Sequence, residues 1–186
     1  MSSAIFELVI FSLPSLIWRR RLVRSGGSHT QALGAIGLRR GTRSDYALAL
    51  ALATLGTAVG SLLLGLVPSH ILHGGSKNIV GAPSDAAGCT AVVLLALAEE
   101  MLFRGFLAGL LFRRFGFRSG NLLQSLIFLA PHTLLLLVSP ALWPLLPLQM
   151  VAGWVLGWLR ARSDSIGPCW LLHALINLMP AILLGL

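Results

Sequence analysis

Long apolar stretches of this sequence hold a small set of residues able to do acid and base chemistry. Residues 98–105 read AEEMLFRG, which puts Glu99, Glu100 and Arg104 in one segment; residues 128–132 read FLAPH and end on His132; residues 173–177 read HALIN and carry His173 and Asn177. An ionisable group in a membrane-spanning helix costs about 3 kcal/mol or more unless it is paired or faces water, so each is a functional candidate. A glutamate as general base, a histidine to share its proton, and a second histidine with an asparagine as hydrogen-bond donors are the parts that activate water and hold a tetrahedral oxyanion. The reaction class such a set serves is amide hydrolysis.

Spacing divides the roles. Glu100 and Arg104 are four apart, on one helix face and in the order that favours an ion pair. Glu99 points about 100° away from Glu100 and meets a different partner. A purely structural ionic cluster accounts for Glu100 and Arg104, but it leaves Glu99 as excess negative charge in a low-dielectric site, the condition under which a carboxyl works as acid or base near neutrality. Pro131 frees a carbonyl one turn before it and kinks the helix at His132. His173 and Asn177, four apart, share a face. Taken singly, a histidine in a bundle is more often a helix-to-helix hydrogen bonder than a catalyst, and Asn177 more so.

Depth joins them. At about 1.5 Å per residue, Glu99, His132, His173 and Asn177 lie about 8 to 20 Å from the ends of their helices on one side, between the headgroups and the midplane, where one water-filled cavity can reach all four. Ser125 and Thr133 lack a base on the same face, which disfavours a covalent nucleophile. Two glutamates and two histidines could bind zinc, but HExxH is absent and Arg104 opposes a cation, so no metal and no cofactor are expected.

The elements that must position these residues follow from composition. Of 186 residues, 56% are hydrophobic and only 11% charged, too apolar for an ordinary soluble domain. The expected fold is all-α, a polytopic membrane helical bundle forming a single domain over residues 1–186. Five spans are clear, at 46–67, 86–112, 122–138, 142–159 and 166–186. A sixth candidate, 4–18, is short, contains Glu7 and Pro14, and either spans or lies at the interface; the arginines after it argue against a signal peptide.

The net charge of +8 has no soluble basic domain to serve, so no nucleic-acid partner is expected. With the N-terminus outside, Arg19, Arg20, Arg21, Arg24, Arg39, Arg40, Arg43, Arg113, Arg114, Arg118, Arg160 and Arg162 all fall inside, leaving Lys77 outside and Arg104 in a helix, as the positive-inside rule requires. This places both termini outside. Residues 68–85, with His70, His73, Gly74, Gly75, Gly81 and Pro83, read as an irregular outer loop whose two histidines lack the further ligands of a metal site. Residues 26–41 read as a glycine-rich inner loop with a short amphipathic turn. Cys89 and Cys169 fall near opposite ends of their spans and read as unpaired thiols. Gly105 with Gly109 and Gly153 with Gly157 have GxxxG spacing, read as close packing within the chain rather than a dimer interface.

In order and on separate helices, EEMLFR fits EExxxR, FLAPH fits FxxxH and HALIN fits HxxxN. In these motifs the chain resembles the CAAX protease and bacteriocin-processing family, the glutamic intramembrane proteases related to the Ras-converting CAAX endopeptidase. The resemblance spans roughly residues 87–180 and implies that the catalytic core lies there. It implies that Glu99 and His132 activate the hydrolytic water, that His173 and Asn177 form the oxyanion hole, and that Glu100 and Arg104 support the site. It further implies a membrane-anchored protein or peptide as substrate and the lipid bilayer as the other partner. The short loops point to a compact bacterial or archaeal member in the cytoplasmic membrane, its site open toward the cytoplasm, and away from a prenylated substrate. Oligomeric state is not set by the sequence. The rival reading is a non-enzymatic membrane protein, an immunity factor or small transporter, that uses the buried charges for packing or proton relay.

Overall fold

The computed structural model describes residues 2–68, 71, 83 and 85–184, with side chains up to residue 178. His70, His73 and the glycines of the outer loop lie outside the described residues, as does Lys77.

Every regular element among the described residues is helical. The first, α1 (Ser2–Arg24), runs unbroken through Pro14. The Ser15 hydroxyl donates to the Met101 carbonyl at 2.5 Å, and Trp18 meets Phe106 edge-on with ring centroids 6.1 Å apart. The first apolar segment is therefore a packed member of the bundle, longer than its apolar core at 4–18 indicates.

Two capping boxes shape the glycine-rich loop that follows. Ser28 and Gln31 cap the short helix α2 (His29–Ala35), and Thr42 and Asp45 cap α3 (Arg43–Leu64). In each, side chain and backbone satisfy each other's free donors at the helix start. Asp85 opens α4 (Ala86–Glu100), accepting from the Gly88 amide at 2.6 Å.

Beyond Glu100 the chain winds into a π-helix, Met101–Ala108, before α5 (Gly109–His132). The sequence pattern led to a plain α-helix over 86–112; the wide turn is a local departure of the kind that marks functional sites. Although helical structure runs on from Ala86 to His132, this run is not one helix. Gly116 sits at φ 72° and ψ 174°, and a β-carbon on Gly120 would lie 2.8 Å from the Leu111 carbonyl oxygen, so the chain doubles back here. Residues 109–115 finish one pass and residues 117–132 begin the next.

The returning pass stops at His132 instead of continuing to Val138. After Pro131, Thr133 turns its hydroxyl onto the Ala130 carbonyl at 2.7 Å, and the chain crosses α6 (Leu135–Val138) and a 3-10 turn (Pro140–Leu142) to α7 (Leu145–Ser163) and α8 (Gly167–Leu184). Asp164, in the left-handed region at φ 50°, closes α7.

The helices pack as α1 on α4, α4 on α8, α8 on α3, and α5 on α7. Ala49, Ala53, Leu156, Leu159, Cys169 and Leu172 form a buried core between α3, α7 and α8. Both glycine pairs lie against other parts of the same chain: Gly105 against Ser15, Gly109 against the Ala35 carbonyl and Trp18, Gly153 against Phe128 and Ser125, Gly157 against Asn121 and Gln124. Cys169 is buried and Cys89 half-buried, and both are free thiols.

Large apolar side chains point outward. Phe6 is 66% and Leu62 75% exposed, and Ser2–Arg24 and Arg43–Leu64 are each long and apolar enough to cross a bilayer. An outer surface of this kind fits lipid, not water. The protein is a polytopic membrane helical bundle. One end of it gathers the basic residues: Arg39 pairs with Asp164 at 3.0 Å, Arg162 with Asp45 at 3.4 Å, and Arg113 lies over the Trp18 ring.

Candidate active site

The centre is built where α4 passes into the π-helix and meets α5, α7 and α8. Glu100 and Arg104 pair at 2.8 Å with both side chains fully buried. The same Glu100 oxygen, Oε1, accepts from Nδ1 of His173 at 2.8 Å, with the His173 side chain 9% exposed. Nε2 of His173 faces Glu99, its nearer carboxylate oxygen 3.7 Å away. That spacing is too long for a hydrogen bond. Unlike Glu100, Glu99 remains 21% exposed. Adjacent residues of one helix thus present one sealed and one accessible carboxylate to opposite nitrogens of a single imidazole.

Because a carboxylate only accepts, Nδ1 of His173 is its donor nitrogen, and Glu100 fixes the plane of the ring. His132 is fixed in a parallel way. Its Nδ1 lies 2.8 Å from the Phe128 carbonyl one turn back, so Nδ1 is its donor nitrogen. Phe128 joins the two histidines. Its ring centroid is 4.8 Å from that of His132 and 5.9 Å from that of His173, and the Arg104 guanidinium lies over it at 4.5 Å.

The structure therefore brings Glu99, Glu100, Arg104 and His173 into direct proximity and connects His132 to them across an aromatic ring. Asn177, one turn beyond His173, has an exposed side chain and makes no hydrogen bond among the described residues. No group of three His, Cys, Asp or Glu side chains is disposed to hold a metal among the described residues.

Several supporting residues have no catalytic signature of their own. The Gly153 carbonyl on α7 accepts from Arg104 Nη2 at 3.3 Å and from Gln124 Nε2 at 2.8 Å. Gln124 and Asn121 are fully buried, and the Asn121 amide also reaches the Trp154 carbonyl at 3.1 Å. Two uncharged amides amid the leucines of a span were a usable signal for this network. Phe128 was visible as the first residue of FLAPH. Glu100 Oε2, Arg104 Nε and Gln124 Oε1 are buried without a hydrogen-bond partner among the described residues, a concentration of unmet polarity that calls for a functional account.

Fold and site together define a polytopic membrane protein with a glutamate and histidine centre enclosed between its helices. Residues 86–179 match the family model described as Type II CAAX prenyl endopeptidase Rce1-like, a little over half of the chain and all three motifs, and the chain belongs to that family. Its general activity is accordingly that of a CAAX-type membrane protease, a hydrolase acting on membrane-associated protein. No curated protein and no solved structure matches the chain.

Proposed function

We propose that this protein is a metal-independent glutamic endopeptidase that hydrolyses a peptide bond of a membrane-anchored protein or peptide. Residues 1–186 would form one membrane domain around a catalytic core at 87–180, open toward the cytoplasmic face. The observation that carries the reading is the contrast between the two adjacent carboxylates. Glu100 is sealed and committed to Arg104 and His173, whereas Glu99 is partly exposed and faces His173 Nε2 across 3.7 Å. A reacting atom seated beside this pair, within hydrogen-bond reach of both groups, contacts a base on one side and a hydrogen-bond donor on the other.

In this reading Glu99 takes a proton from water, which attacks the scissile carbonyl, and His132, with Nε2 free to accept, shares and returns that proton to the leaving amine. The imidazolium form of His173 donates from Nε2 to the developing oxyanion while Nδ1 stays on Glu100. That form also balances charge, since two carboxylates then face one guanidinium and one imidazolium. Asn177 lies one turn along the same face, where it supplies a second donor once the substrate backbone enters. Arg104 beside the carboxylates favours this metal-free chemistry over a bound cation.

The test is cleavage by purified protein in detergent of an internally quenched prenylated CAAX peptide and its unprenylated counterpart, alongside a search for new termini in the membrane proteome of expressing cells. Glu99→Ala and His132→Ala abolish turnover and the new termini if the reading holds. Undiminished cleavage by both variants sinks it.

A further inference from the structure

Arg160 stands near the basic end of α7, where a helix-terminal arginine ordinarily extends its charge into water. Arg162, two residues on, does so, with its side chain 47% exposed. The Arg160 side chain is 6% exposed, and its donors are spent almost entirely on main-chain oxygen. Nη2 bonds the Gly34 and Ala35 carbonyls at 2.9 and 3.2 Å, Nη1 bonds Asp164 at 3.0 Å, and Nε bonds the carbonyl of Arg104 at 3.2 Å. The loop is shaped to receive it. Gly37 sits at φ +70°, and a β-carbon there would lie 2.5 Å from Arg160 Nε.

The Arg104 carbonyl lies in the π-helix, where the regular α-helical register is lost. Gly153, seven residues before Arg160 and on the same face of α7, accepts from the Arg104 guanidinium at 3.3 Å. One helix face thus grips Arg104 at both its main chain and its side chain. From Arg104 the contacts continue to Glu100 at 2.8 Å, to His173 at 2.8 Å, and on toward Glu99.

Resting on the endopeptidase reading, we propose that Arg160 is a positioning residue of the catalytic centre, which holds Arg104 by its carbonyl and through Arg104 fixes Glu100 and the ring of His173. A plain staple between loop and helix has no reason to reach the backbone of the residue that pairs with Glu100. A lysine, a point charge on a flexible stem, cannot reproduce the planar set of bonds.

The experiment compares wild type, Arg160→Met, Arg160→Lys and, as a control on the same helix, Arg162→Gln, using the full chain in detergent and the quenched prenylated CAAX peptide. Misplacement of the centre lowers kcat by about 10- to 100-fold with KM little changed in Arg160→Met. The pH profile of kcat moves with it, because Glu99, Glu100 and Arg104, Cys169 one turn back on α8, and His132 across Phe128 are ionisable groups around His173 among the described residues. Arg160→Lys recovers part of the loss, and Arg162→Gln behaves as wild type. An activity-independent arm records 15N resonances of labelled histidine, in which the His173 Nδ1 signal and its titration shift in Arg160→Lys. Absence of turnover by wild type counts against the endopeptidase reading and leaves the spectroscopic arm to decide. Unchanged His173 resonances in Arg160→Lys, or an Arg160→Met enzyme with wild-type kcat and pH profile, overturn the proposal.

Discussion

Replacing Glu100 by Gln and Glu99 by Gln separates the two neighbouring carboxylates by stability as well as by activity. Glu100→Gln keeps the side-chain shape but removes the charge that faces Arg104 at 2.8 Å in a site with no solvent exposure on either partner. Breaking a buried pair from one side costs about 3 to 5 kcal/mol, because the remaining charge is left uncompensated. The lost Glu100 contact to Nδ1 of His173 adds to this. Glu99 has only a 3.7 Å approach to His173 and is 21% exposed, so Glu99→Gln costs no more than about 1 kcal/mol. The expected gap of about 2 to 5 kcal/mol is a factor of about 30 to 5,000 in the unfolding equilibrium. Denaturant unfolding in detergent micelles, followed by the fluorescence of Trp154, Trp158 and Trp170 on α7 and α8, reads this gap, and peptide cleavage is measured on the same samples. Glu99→Gln is expected to be folded and inactive, Glu100→Gln destabilised. Equal destabilisation, or a Glu99 variant that is the less stable of the two, refutes the assignment of Glu100 as the structural partner and Glu99 as the accessible base.

Other outcomes follow from packing. Gly109→Ala drives a β-carbon to 2.5 Å from the Ala35 carbonyl and 2.8 Å from Trp18, costing about 1 to 3 kcal/mol by the same unfolding assay. Gly60→Ala finds only Leu148 at 3.6 Å and is expected to stabilise α3 by up to about 1 kcal/mol through helix propensity. Ser15→Ala deletes the 2.5 Å bond to the Met101 carbonyl and lowers stability by about 1 kcal/mol; no change would show that α1 contributes little at that contact. Cys169, fully buried with its thiol 3.3 Å from the Leu156 carbonyl, resists a membrane-permeant maleimide until the protein unfolds, whereas the half-buried Cys89 labels in the native state.

The course of the helices was largely readable from hydropathy and the placement of arginines, because a bilayer leaves the chain few alternatives to helices. Interruptions were harder to read. Pro131 announced a disturbance at His132, yet the end of the helix there depends on the Thr133 hydroxyl turning back to the Ala130 carbonyl, a local competition that hydrophobicity does not register. The spacing of Glu100 and Arg104 announced their ion pair. It could not announce that His173 would take the second place on Glu100, since that contact joins residues 73 apart in sequence. The further contacts of Arg160 were hidden for a related reason. At the end of a span it looks like any inside-facing charge, and only the tertiary fold shows the four carbonyl and carboxylate partners around it.

The π-helix links these points. The wide turn carries i→i+5 bonds of its own, and two of its carbonyls are in addition bonded from outside, Met101 by Ser15 of α1 and Arg104 by Arg160 of α7. Gly105 and Gly109, whose lack of a side chain looks like generic helix packing, are what let these neighbours come near, with Ser15 Oγ and the Ala35 carbonyl within 2.6 and 2.5 Å of the positions their β-carbons would occupy. Gly105 therefore admits the Ser15 donor, Gly109 admits the loop carbonyl of Ala35 that Arg160 also binds, and the two donors brace the wide turn. The geometry of Glu99, Glu100 and Arg104 is accordingly a property of three helices and a loop. A substitution on α1 or α7 that loosens either carbonyl should disturb the chemistry before it disturbs the fold, whereas one on the lipid-facing side of the same helices, such as at Phe6 or Val151, should do neither.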